Sequence, residues 1–129
     1  MQADKLPRWA IGLGVTLGLA LLFIGGRFMV VPEVAERGYG LQYDQPNNAF
    51  HLIKGIRDVF TGLLLLFFTL ANWHKPLAVV SILGSLIPLT DMLIVLTTPR
   101  SVASAAWIHG LTVVTLLSFG ISLLRRVSS

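Results

Sequence analysis

The sequence predicts an all-α, polytopic membrane protein: an antiparallel four-helix transmembrane bundle forming a single domain over residues 1–129. Three observations lead there. Hydrophobic residues make up 54% of the chain and charged residues only 12%, against roughly 25% charged in a soluble domain. Too few charges exist to coat a water-facing globule. The apolar residues gather into four runs, approximately 9–31, 50–73, 77–98 and 102–124, each about the length that crosses a bilayer at a helical rise of about 1.5 Å per residue. The later runs are parted only by His74-Lys75-Pro76 and Thr98-Pro99-Arg100-Ser101, and connections this short make neighbouring helices antiparallel.

The first run extends from Trp9 to Gly26 and continues past Arg27 through Phe28-Met29-Val30-Val31 to Pro32. Lys5 and Arg8 precede it, as in a secretion signal. No small-residue cleavage pattern follows, and the run is long for a signal's apolar core, so it reads as a retained span. Residues 32–49 form the longest loop, in which Glu33, Glu36, Arg37, Gly38, Gly40, Asp44 and Pro46 supply charge and turn chemistry. Gly38-Tyr39-Gly40 reads as a flexible turn. Asn47 or Asn48 is placed to cap the second helix.

That helix begins near Ala49 and carries His51, Lys54, Arg57 and Asp58 ahead of the clean stretch Val59–Trp73. The clean part, about 15 residues, falls short of the roughly 20 that span a bilayer. Its polar turn is therefore expected partly within the membrane, or the helix is tilted. His74-Lys75-Pro76 reads as a tight turn. The third run holds Pro88 and Asp91, and the fourth ends on Arg125-Arg126. Trp9, Trp73 and Trp107 lie near span ends, as interface anchors do.

With both termini on one face, that face holds Lys5, Arg8, Lys75, Arg125 and Arg126, and the other holds Arg37 and Arg100. The bias places both termini in the cytoplasm of a multi-pass cell-membrane protein. Counting Arg27, Lys54 and Arg57 as loop residues would erase it. The net charge of +4 does not point to nucleic acid, since the basic residues cluster at run ends, where anionic headgroups attract them, and no basic stripe or stacking-aromatic motif is present. The absence of cysteine removes disulfides, thiol nucleophiles and cysteine-ligated zinc or iron–sulfur centres. The histidines and aspartates lack close metal-ligand spacing, so no metal and no cofactor is expected.

Charged groups inside spans cost roughly 2.5–3.5 kcal/mol each on the insertion scale, and they usually pair or line a cavity. Measured from the long-loop side at the helical rise, Arg27 lies about 7–8 Å in, Asp91 and His109 about 12 Å, and Asp58 about 15 Å. Every run thus places a polar side chain in the same half of the membrane, which implies one shared internal cluster. Lys54, Asp58 and Thr61 fall on one helical stripe, which His51 extends outward. Gly84, Pro88 and Asp91 share a face, and Pro88 leaves the Gly84 carbonyl without its helical donor. Asp91 is expected to pair with Arg27 or Arg57, and His109 to hydrogen-bond a carbonyl or line a pocket. Gly14 and Gly18 make a small-xxx-small pattern, a candidate face for a homodimer, and Ser81 and Ser85 repeat it.

Gly26-Arg27-Phe28 to Pro32, Lys54-Gly55-Ile56-Arg57-Asp58 followed by Gly62-Leu63-Leu64, Ile87-Pro88-Leu89-Thr90-Asp91, and His109-Gly110 occur in that order. Over nearly its whole length the chain resembles a family of small four-span membrane proteins of bacteria and fungi catalogued only as a domain of unknown function. That resemblance implies four helices and a membrane location, and it brings no established activity.

The expected function is binding or transport of a small anionic or lipid-like ligand by Arg27, Lys54, Arg57, Asp58, Asp91 and His109. Three basic residues against two acidic ones, with histidine neutral, favour an anion. Two alternatives stand beside it. One is a membrane-embedded isomerase or cyclase with Asp58, Asp91 and His109 as acid–base residues. The other is a structural subunit whose polar layer only fixes packing. The lipid bilayer is the expected partner in each case.

Overall fold

The computed structural model describes residues 5–41 and 48–127. Asp44, Pro46 and Asn47 lie outside them. Among the described residues there are six α-helices and no strand: α1 (Arg8–Val30), α2 (Pro32–Tyr39), α3 (Asn48–Leu70), α4 (His74–Gly84), α5 (Leu86–Thr97) and α6 (Ala106–Val127). A 3-10 turn, Ala103–Ala105, leads into α6.

Three segments are long and apolar enough to cross a membrane: Arg8–Val30, His74–Thr97 and Ala103–Arg126. Helix α3 equals α1 in length, 23 residues each, but carries Lys54, Arg57 and Asp58. The distribution of side chains is inverted relative to a soluble domain. Phe23 and Leu70 are 66% and 69% exposed, while Asp58 and Asp91 are 1% and 2% exposed. Such an exterior suits hydrocarbon rather than water.

Helices α1 and α3 form the closest pair, and glycine is the reason. A Cβ built on Gly25 would sit 2.6 Å from the Gly55 carbonyl oxygen, and one built on Gly62 would sit 2.7 Å from the Gly18 carbonyl oxygen. Gly18 thus faces Gly62 and Gly25 faces Gly55, an antiparallel pairing with two glycines one heptad apart on each helix. Backbones can approach this closely only where no side chain intervenes. Gly14 meets Thr69 in the same seam. The Gly14–Gly18 face, read from the sequence as open to a second copy, is occupied within the chain by α3.

Three boundaries differ from expectation. The long loop contains α2, started by Pro32 in its first turn and stopped at Gly40, whose φ of 102° is left-handed. Proline suits the first helical position and glycine the C-terminal cap, so a short helix forms without an apolar run. The turn after α3 lies at Ala71-Asn72-Trp73, not at His74-Lys75-Pro76. Asn72 adopts φ 58°, a conformation asparagine tolerates, and its Oδ1 accepts the Leu6 N–H at 3.2 Å. Pro76 then falls in the first turn of α4, where no N–H is needed. The third run breaks at Ser85 into α4 and α5, because Pro88 cannot donate to the Gly84 carbonyl.

That break sets the shape of the bundle. Helix α4 packs on both α3 and α6, whereas α5 packs on α6 and makes no comparable backbone contact with α3. At the end away from α2, Leu6, Ala10, Leu65, Leu77, Phe119 and Leu123 fill a continuous core. At the α2 end, Phe28, Ala35, Tyr39, Leu41, Val95 and Ala106 form a second one. Helix α2 is tied down there by the Val102 N–H donating to the Gly40 carbonyl at 2.8 Å. The open volume lies between these two cores.

Candidate functional site

The gap between α3 and α5 is bridged by long side chains. Lys54 Nζ donates to Asp58 Oδ2 at 2.5 Å, one turn along its own helix, and lies 3.0 Å from Asp91 Oδ2 on α5. Arg57 Nη2 donates to Asp91 Oδ1 at 2.8 Å. The Tyr39 hydroxyl, from α2, donates to the same oxygen at 3.0 Å. Asp91 therefore receives three donors from two helices, and Lys54 joins two carboxylates. The ammonium also sits over the rings of Phe28 and Tyr39, 5.7 Å from each centroid, which spreads its charge onto two aromatic faces. Two cations and two carboxylates balance one another, the arrangement that makes buried charge tolerable.

Around this network the chain leaves a cavity of about 350 Å³. Each of the six helices contributes to its wall. Arg27, Lys54, Asp58 and Asp91 line it with Tyr39 and His109, and Leu21, Ile24, Ile87 and Leu116 supply apolar wall. The expected cluster is thus assembled, with differences in detail. Asp91 takes Arg57 as its arginine partner. Arg27 lies over the Phe23 ring, 5.6 Å from its centroid, and lines the cavity rather than joining the network. His109 Nε2 is 3.1 Å from the Tyr39 carbonyl oxygen. A carbonyl only accepts, so Nε2 carries the proton. The His109 ring also packs on that of Tyr39 at 4.8 Å.

His51 stands outside the network. Its Nε2 meets Glu36 Oε2 at 2.8 Å, and both residues are buried. Glu36 and Tyr39, expected from the sequence only as loop and turn residues, anchor α2. The signal that could have found them is the punctuation of their segment. Pro32 at a helix start and Gly40 at its end delimit two turns, which put Glu36 and Tyr39 on one face at i and i+3. Thr61, on the Lys54–Asp58 stripe, turns its hydroxyl to the Arg57 carbonyl at 2.9 Å. Among the described residues no three histidines or carboxylates are grouped as a metal ion would require.

A family model described as a domain of unknown function (DUF4267) matches residues 18–123, a stretch that contains the whole cluster. No curated protein and no solved structure matches the chain.

Proposed function

The chain belongs to the DUF4267 family, and we propose that it is a four-span integral membrane protein that binds a small amphipathic ligand in the cavity at its α2 end. The spans are α1, α3, the broken pair α4–α5, and α6, with both termini cytoplasmic. Helix α3 crosses despite its charges, because Lys54 and Asp58 are buried and paired with each other. Arg57 is paired with Asp91 through Nη2.

One observation carries the binding reading: a cavity of about 350 Å³, with both charged and apolar side chains in its wall, lies directly beside a compensated ion-pair network. A polar layer that only locked the helices together would close on itself, since protein interiors pack at a density of about 0.75. Cavities of a few hundred Å³ with apolar walls and a few convergent polar groups are the usual form of small-molecule sites. Transport would use the same cavity with access to both faces.

The test uses the full chain in phosphatidylcholine nanodiscs, with empty discs subtracted. Ten-carbon probes bearing different heads (decanoate, decanol and decyltrimethylammonium) are titrated by calorimetry. At least one binds, and Gly84→Leu weakens it tenfold or more. A Cβ on Gly84 meets only Thr61 Cγ2, at 3.8 Å, so the larger side chain has room to grow into the cavity. Binding of none of the probes defeats the reading.

A second reading, acid–base catalysis by Asp58, Asp91 and His109, is favoured by one contact: the Tyr39 hydroxyl is held on Asp91 at the cavity wall. Recovery of a chemically altered ligand would move the assignment to an enzyme.

A further inference from the structure

Resting on the cavity reading, we infer that the ligand is a single-chain amphipath with an anionic head, that it enters sideways from the bilayer between α1 and α6, and that Arg27 holds the head.

The route follows from which helices touch. Helix α1 packs on α3 and α2, and α6 packs on α4 and α5. The two approach each other at the end remote from α2, where the Trp9 ring meets Phe119 edge-on at 6.1 Å and the Arg126 guanidinium lies over Trp9. Toward α2 the seam opens. Ile24 on α1 and Ile108 on α6 both line the cavity, yet are 40% and 46% exposed. Side chains that face the cavity and the outside at once form the jambs of an opening, and here the outside is hydrocarbon.

The head-to-tail direction follows from the order of residues along the walls. On α1, Arg27 follows Phe28 in from the α2 end, with Leu21 about 9 Å deeper; on α6, His109 follows Ile108, with Leu116 about 10 Å deeper, at the helical rise. All six residues line the cavity. On both walls of the seam the ionisable residue thus lies on the α2 side of the deepest leucine. A chain lying parallel to the neighbouring lipids would keep that orientation on entry.

The sign of the head follows from the charges. Lys54, Arg57, Asp58 and Asp91 compensate one another. Arg27 lines the same cavity, its guanidinium lies over the Phe23 ring at the edge of α1, and among the described residues it has no carboxylate partner. A carboxylate or phosphate head would complete a charge-assisted, two-pronged pair with it. A cationic head would find both cavity carboxylates already engaged.

The experiment extends the nanodisc titration with butyrate, which carries the same head without the chain. Decanoate is expected to bind at least tenfold tighter than decanol and a hundredfold tighter than butyrate, and Arg27→Gln to bring decanoate down to the level of decanol. Equal affinity of the wild type for decanoate and decanol overturns the anionic head while leaving the cavity reading standing. Butyrate as tight as decanoate means a free small anion, and overturns the chain. Failure of every probe is instead the failure of the cavity reading itself. For the route, Ile24→Trp combined with Ile108→Trp is expected to slow decanoate association and dissociation tenfold in stopped flow. Wild-type rates in that variant overturn lateral entry.

Discussion

Arg57 and Asp91 lie on different helices, 34 positions apart in sequence, and are joined at 2.8 Å across a gap that the backbones themselves do not close. The partners are unequal. Asp91 is buried and also receives Tyr39 and Lys54, whereas Arg57 is only partly buried. Removing a buried charge strands its partners, and removing the more accessible partner leaves two donors in place. Asp91→Asn is therefore expected to cost about 3–5 kcal/mol, and Arg57→Gln about 1 kcal/mol. Thermal or denaturant unfolding in detergent gives the comparison, and an equal loss from the two would contradict this asymmetry.

The glycine seam makes a second contrast. A Cβ at Gly25 collides with the backbone of α3, whereas one at the adjacent Gly26 meets nothing within 4 Å. Gly25→Ala is expected to destabilise by about 1–3 kcal/mol, the cost of overpacking. Gly26→Ala is expected to be neutral or to stabilise by up to about 1 kcal/mol, because alanine is the better helix former. The melting temperatures of the two variants should move apart.

Helix α2 is latched by side chains on three other helices: Tyr39 on Asp91, Glu36 on His51, and its last-turn carbonyl on His109. Tyr39→Phe removes one of these hydrogen bonds and leaves the ring packing. Its expected effect is about 1 kcal/mol, concentrated locally. Hydrogen exchange should accelerate in residues 32–41 and stay unchanged in α1 and α6. A uniform acceleration would mean that Tyr39 supports the whole bundle.

Topology has a direct test because the chain contains no cysteine. Asn47→Cys, ahead of α3, is expected to react with a membrane-impermeant maleimide from outside the cell. Lys75→Cys, after α3, should react only once the cytoplasmic face is accessible. Labelling of both from one side would show that α3 does not cross.

The polar cluster was legible in the sequence because charges inside apolar runs are conspicuous. Lys54, Asp58, Asp91 and His109 announce themselves by where they sit. Their partners were less visible. Nothing local shows that Arg57 rather than Arg27 reaches Asp91, since that depends on how far α5 departs from α3. Glu36 and Tyr39 were hidden in a segment rich in charge and glycine, whose helix is stabilised by docking rather than by an apolar run. Gly55 and Gly62 looked ordinary until the antiparallel pairing with Gly25 and Gly18 gave each a facing backbone. The break at Ser85 is half legible. Pro88 signals a lost hydrogen bond, but only packing decides that the helix divides into two pieces with different neighbours.

That division gives α4 and α5 different kinds of attachment to the rest of the bundle. Below the break, α4 is wedged between α3 and α6 within a continuous apolar core, and to move it is to unpack that core. Above it, α5 rides on α6 and is fastened to α3 through the Lys54 and Arg57 contacts to Asp91. Ion pairs are directional and can exchange partners one at a time, which packed methyl groups cannot do. The lower half is thus held by shape alone, and the upper half by shape and charge together. Across the chamber α5 meets α3 through these few polar contacts at its middle, while Val95 near its far end joins the second apolar core.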